Sequence, residues 1–218
     1  MLLRDISLGL NRDEYERIYG SDFQFRSRYL CNFVRRKITP LRFQTNGFRA
    51  IFVQGCETLR DPCRIEGENV AVAPVLFEKS RYESLDQNEL HEFFIGMLLT
   101  GISTCAKNYE VPLVAIQSAV DEFRQGNHQN RWIFKKKLLR PHGIRASLIC
   151  MMDPERFVLK LKLERKGAVV FEEPILETMP DETIFAYQFK DVVVEGDSVI
   201  VRDKFDKPTF SLKLSLLA

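Results

Sequence analysis

FVLKLKLERKGAVVFE, residues 157–172, decides how the chain is read. Phe157, Leu159, Leu161 and Leu163 alternate with Val158, Lys160, Lys162 and Glu164, which is the period of a pleated strand with one dry face and one wet face. Arg165 to Gly167 supplies turn chemistry, and Ala168 to Glu172 starts the next strand. A connection this short makes the two strands antiparallel neighbours. The same alternation returns at Phe210, Leu212, Leu214 and Leu216 against Thr209, Ser211, Lys213 and Ser215.

Working outward, strands are expected at 131–139, 144–152, 157–164, 168–172, 183–189, 191–194, 198–202 and 209–216, with turns at 141–143, 153–155, 165–167 and 195–197. Upstream lies a helical stretch. Ser84 with Gln87 reads as a capping box, and Leu85, Leu90, Phe93, Phe94, Met97, Leu98, Ile102 and Cys105 follow at three-and-four spacing toward Asn108. Pro112 suits the first turn of a second helix carrying Leu113, Ile116, Val120 and Phe123, and Gly126 stops it. The short link makes these two helices an antiparallel pair.

Nearer the start, Ile6, Leu8 and Leu10 share a strand face, and Asn11 with Glu14 opens a short helix ending at Gly20. Residues 23–37 carry both a helical stripe and a strand alternation, and the paired apolar spacing of Phe25, Tyr29, Leu30, Phe33 and Val34 favours helix. Asn46-Gly47, between Leu41 to Gln44 and Phe48 to Gln54, is a hairpin signal. Val70 to Phe77 is a further strand. The expected class is α+β, a largely antiparallel meander sheet formed by the C-terminal half plus the N-terminal strands, packed against the central helix pair. Residues 1–218 are expected to form a single domain with subregions 1–79, 80–126 and 127–218.

Composition narrows the function classes. A chain of 218 residues that is 45% hydrophobic can bury a substantial core. With 32 basic and 30 acidic residues, the net charge of +2 is too small to define a nucleic-acid binder. The five scattered cysteines fit reduced thiols in a cytoplasmic setting rather than a disulfide framework. Arg4 and Asp5 interrupt the first apolar run, so Met1 to Leu10 reads as a strand and not a secretory signal. The run from Phe93 to Ile102 is about half of the roughly 20 residues that a bilayer-spanning helix requires.

Catalytic and metal patterns fail at specific positions. His91-Glu92 begins H-E-x-x-H, but Ile95 stands where the second histidine belongs. Cys56 and Cys63 lack the close spacing and the histidines of a zinc site. Gly101-Ile102-Ser103 lacks the closing glycine of a hydrolase elbow. Cys150 with His142 is a conceivable nucleophile pair, but Cys150 lies in the apolar run from Leu148 to Met152. No catalytic residue, metal or cofactor is therefore assigned.

One cluster does resemble binding material. Trp132, Phe134, Lys135, Lys137, Arg140 and Arg145 combine rings and cations as single-stranded nucleic-acid platforms do, with Arg131, Lys136 and His142 alongside. Its structural counterpart is an edge strand protected by lysines. A second basic group comprises Arg26, Arg28, Arg35, Arg36, Lys37 and Arg42. Later strands and turns gather Glu172, Glu173, Glu177, Asp181, Glu182, Asp191, Glu195 and Asp197. The leading expectation is a non-catalytic intracellular module that binds another protein, as an inhibitor, immunity-type protein or assembly factor does. The alternative is RNA or single-stranded DNA binding through the basic and aromatic strand, and the third option is an enzyme whose site is assembled from distant loops.

Overall fold

The computed structural model describes residues 1–59 and 62–217, and the fold class is α+β. Contacts divide the chain into two compact units, Met1–Asn130 and the residues from Arg131 onward.

The first unit is built on β1 (Asp5–Leu10), β2 (Ala50–Cys56), β3 (Arg64–Glu66) and β4 (Val70–Leu76), in the order β1-β2-β4-β3. β2 runs parallel to both β1 and β4, and only β3 is antiparallel to its neighbour. The N-terminal strands therefore form their own sheet instead of extending the C-terminal meander. The hairpin expected at Asn46-Gly47 does not form. Gly47 bends the chain at φ 92°. However, Thr39–Leu41 is a 3-10 turn and Gln44 makes only an isolated bridge to Leu2, so no strand arm precedes the bend. β2 pairs with β1 instead, across a helical crossover of the kind that parallel strands require.

That crossover contains α1 (Arg17–Ile38), 22 residues that absorb both the short helix expected before Gly20 and the ambiguous segment after it. Asn11 does not cap it. Its side chain accepts from Asp13 N at 3.1 Å, closing a turn before the helix begins. Gly20 lies in the first turns with no left-handed backbone, so it cannot act as the terminating residue. Phe23, Tyr29, Leu30 and Val34 are fully buried along the inner stripe. Phe23 meets Phe77, Tyr82 and Phe94 edge-on at 5.3, 5.3 and 5.4 Å.

The expected helix pair is α3 (Gln87–Ala106) and α4 (Leu113–Gln125), preceded by the short α2 (Lys79–Ser84). The capping box sits two residues later than expected. Asp86 accepts from Asn88 N and Glu89 N at 2.8 and 2.9 Å, and Glu89 returns a bond to Asp86 N. Ser84 instead closes α2 by donating to Arg81 O. α3 lies across β4 and β2, and α4 packs on α1, so the pair covers the N-terminal sheet. Gly101 sets the approach distance: a Cβ there would fall 2.5 Å from both methyls of Val53 on β2.

The second unit carries the meander. β5 (Asn130–Leu139), β6 (Ile144–Met152), β7 (Phe157–Arg165) and β8 (Ala168–Thr178) form one antiparallel sheet in chain order; the unit boundary falls after the first residue of β5. Leu148 faces Leu161 and Cys150 faces Leu159 in register, and all four are at most 1% exposed. After α5 (Glu182–Phe185), a second sheet has the order β11 (Pro208–Lys213), β10 (Ser198–Arg202), β9 (Asp191–Glu195). Val192, Val199 and Val201 are fully buried there.

Two expected strands differ. Residues 183–189 form α5 and a turn, because Asp181 caps Thr183 N at 2.9 Å and the four-residue spacing of Phe185 and Phe189 brings both rings to Phe157. Phe185 stacks on Phe157 at 3.7 Å. The last strand stops at Lys213, with Leu214–Leu216 in a 3-10 turn.

Candidate functional site

β5 carries the residues singled out from sequence. Its ladder partner β6 holds one side of it in the sheet, and it stands at the end of the strand order. Trp132 is half-buried, its ring 6.2 Å from that of Phe157. Phe134 meets Phe189 edge-on at 4.8 Å and remains 46% exposed. Lys135 and Lys137 converge on one carboxylate, reaching Asp191 Oδ1 at 3.1 Å and Oδ2 at 2.8 Å. Burial opposes ionisation of Asp191, but hydrogen bonds from Lys137, Lys135 and the Val192 amide hold its carboxyl below the usual range. Arg140 lies in a 3-10 turn, Arg140–His142, and Arg145 follows on β6 opposite Glu164.

The structure thus gathers Trp132, Phe134, Lys135 and Lys137 on one strand, with Arg140 and Arg145 beyond its end. Two of the cations already share one carboxylate and both rings lean on other rings. What remains outward is largely apolar. Ile133 is 57% and Leu138 55% exposed, beside Phe134. Arg131 and Lys136 flank them with no ion pair among the described residues. A depression of about 510 Å³ adjoins the strand, lined by Arg131, Ile133, Lys136, Ser147, Ile149 and Lys162. Sequence reasoning passed over Ile133 and Leu138, because alternation assigned the strand's apolar residues to a core face. The signal lay in their mismatch of phase, one odd and one even in number.

The histidine and cysteine patterns of the sequence resolve into packing and hydrogen bonds at His91, Cys63, Cys105 and Cys150. His91 Nδ1 shares a hydrogen bond with the Tyr29 hydroxyl, and its ring stacks on His128 at 4.6 Å. Burial, followed by the neighbouring His128, pulls its imidazole below the ordinary value, while Glu92 opposes the shift. Arg124 grips Glu92 with two bonds of 2.9 and 2.7 Å, which together with His128 keep that carboxyl low against the opposing effect of burial. Position 95, where a zinc helix would place histidine, is the fully buried Ile95. Cys63 and Cys105 share a hydrogen bond that lowers the first thiol and raises the second. Cys150 is wholly enclosed by core.

The second basic cluster lies on α1 and after it, in the other unit. Arg35 faces Asp5 at 3.6 Å and Lys37 pairs with Glu122. Arg36 bonds Asn32 and Asn130, and Asn130 in turn donates to Tyr29 O at 2.8 Å. These are links within the fold. Among the described residues there is no group of three or more side chains placed to hold a metal, and no helix is long and apolar enough to cross a membrane. Comparison with protein-family models, curated proteins and solved structures returns no match.

Proposed function

We propose that this chain is a non-catalytic protein-binding module, of the inhibitor, immunity-type or assembly-factor kind, and that it docks its partner along β5. One observation carries the reading: Ile133, Phe134 and Leu138 stand 57%, 46% and 55% exposed within six residues of a strand at the end of its sheet. Full burial of such side chains is worth about 1.5–3 kcal/mol each; Phe134 and Leu138 share one pleat phase and Ile133 the other, so a partner that wraps the strand and reaches both faces gains about 2–4 kcal/mol from the three. Arg131 and Lys136 add a cationic rim, as interface cores of this kind carry. The partner chemistry that fits is an apolar ridge bordered by carboxylates.

The test replaces Ile133 and Leu138 together by threonine, which keeps strand propensity and removes apolar area. The double variant is expected to melt like the parent and to lose any protein that the parent chain retains from its native lysate. A partner retained at full strength by a folded variant contradicts the proposal. A second reading is RNA or single-stranded DNA, favoured by the half-exposed Trp132 ring and by the four cations Arg131, Lys136, Arg140 and Arg145, which have no ion pair among the described residues. It predicts retention that falls steeply with salt, as each neutralised phosphate releases counterions.

A further inference from the structure

The first unit contains a cleft of about 610 Å³ where β1 ends and α1 begins. That volume lies within the range of small-molecule sites, about 300–1,000 Å³. The cleft lies at the carboxyl end of one strand of a parallel pair, next to the helix that follows. β1 and β2 are such a pair.

Its floor is aromatic. Phe52 on β2 reaches across to Gly9 on β1, so closely that a Cβ at Gly9 would lie 2.6 Å from the ring. Only glycine leaves the ring free to lie there. One wall is the early face of α1, where Gly20, Ser21 and Gln24 succeed one another along the helix. A Cβ at Gly20 would meet nothing within 4 Å, so the wall has open space in front of it. Arg12 and Arg17 stand at the cleft with Glu16 between them in sequence. Neither guanidinium has a hydrogen bond or ion pair among the described residues, in a molecule where Arg35, Arg64, Arg124, Arg156 and Arg202 all engage carboxylates.

We infer that this cleft binds a nucleoside monophosphate. Each part of such a ligand has a counterpart on the lining. The base stacks on Phe52, as bases do on exposed aromatic faces. Two planar guanidiniums match the oxygens of one phosphate by paired hydrogen bonds. Glu16 accepts from ribose hydroxyls, and Ser21 and Gln24 offer hydrogen bonds to a base edge.

Isothermal titration of the full chain with adenosine, guanosine, cytidine and uridine monophosphates tests the assignment, with adenosine, inorganic phosphate and free phenylalanine as comparison probes. At least one monophosphate is expected to bind saturably, at least tenfold tighter than adenosine or phosphate alone. Joint replacement of Arg12 and Arg17 by glutamine is expected to weaken it at least tenfold. Gly20→Leu, which projects into the open cleft, is expected to abolish binding, whereas Gly20→Ala keeps it; a thermal melt confirms that both variants fold. Four results overturn the inference: no monophosphate binding at millimolar concentration, phosphate alone binding as tightly as the nucleotides, phenylalanine binding in their place, or nucleotide binding that a folded Gly20→Leu variant retains.

Discussion

Replacing Gly101 by alanine should destabilise the first unit, although alanine is the better helix former. On an exposed helix the change gains about 1 kcal/mol. Here the new carbon would lie 2.5 Å from both Val53 methyls and 2.9 Å from its Cβ, and α3 cannot retreat without leaving β2. Overpacking of this severity costs about 3 kcal/mol, the upper end of its range, which leaves a net loss of about 2 kcal/mol. Val53→Ala alone removes two buried methyls and costs about 2 kcal/mol with its cavity. In that background the two methyls at 2.5 Å are gone and only the Cβ at 2.9 Å remains, so Gly101→Ala should become roughly neutral, a coupling of about 2 kcal/mol. Urea unfolding followed by helical circular dichroism reads the first unit, since α1 to α4 all belong to it. Costs that add within about 0.5 kcal/mol would refute the close packing of α3 on the N-terminal sheet.

Other consequences follow from single contacts. Asp86→Ala removes both acceptor bonds at the start of α3 and should lower stability by about 1 kcal/mol in the same assay. Asn130→Ala strips the buried Tyr29 carbonyl and Asn32 of a donor and should cost about 2 kcal/mol; an unchanged midpoint would contradict the network. His91 has a folded value below its ordinary 6.5, so the unfolded chain takes up its proton first as pH falls. Stability should therefore be intact above about 6.5 and decline as pH drops from there toward the folded value, with His91→Gln showing a shallower decline in melts between pH 7 and 5. Asp191, held low by two lysines, contributes at neutral pH and loses that contribution as acid reaches its folded value; Asp191→Asn should flatten the acid limb at the lowest pH.

The meander was legible because its information is local. Leu159, Leu161 and Leu163 declare a face by alternation, and Lys166-Gly167, both at positive φ, turn the chain back within a few residues. The helix pair was equally plain from apolar spacing. The parallel pairing of β1 with β2 was not, since Ile6 finds Ile51 across the whole of α1 and nothing near either residue records the match. Asn46-Gly47 pointed to a hairpin partner that the turn at Pro40 removes. At 183–189 two periodicities coexist, and capping by Asp181 with stacking on Phe157 selected the helix. Of the β5 surface, Trp132, Phe134 and the basic residues were readable as types. That Asp191 occupies two of the lysines depends on a strand more than fifty residues away, which no local pattern encodes.

The most direct measurement of the docking reading is photocrosslinking from β5. A benzophenone amino acid placed at position 133 or 138, in the full chain within its native cells, should yield one discrete protein adduct. The same group at Val114, 83% exposed on α4, should not yield that adduct. Adducts that vanish with ribonuclease or nuclease treatment, or identical products from all three positions, would contradict a protein partner on this strand.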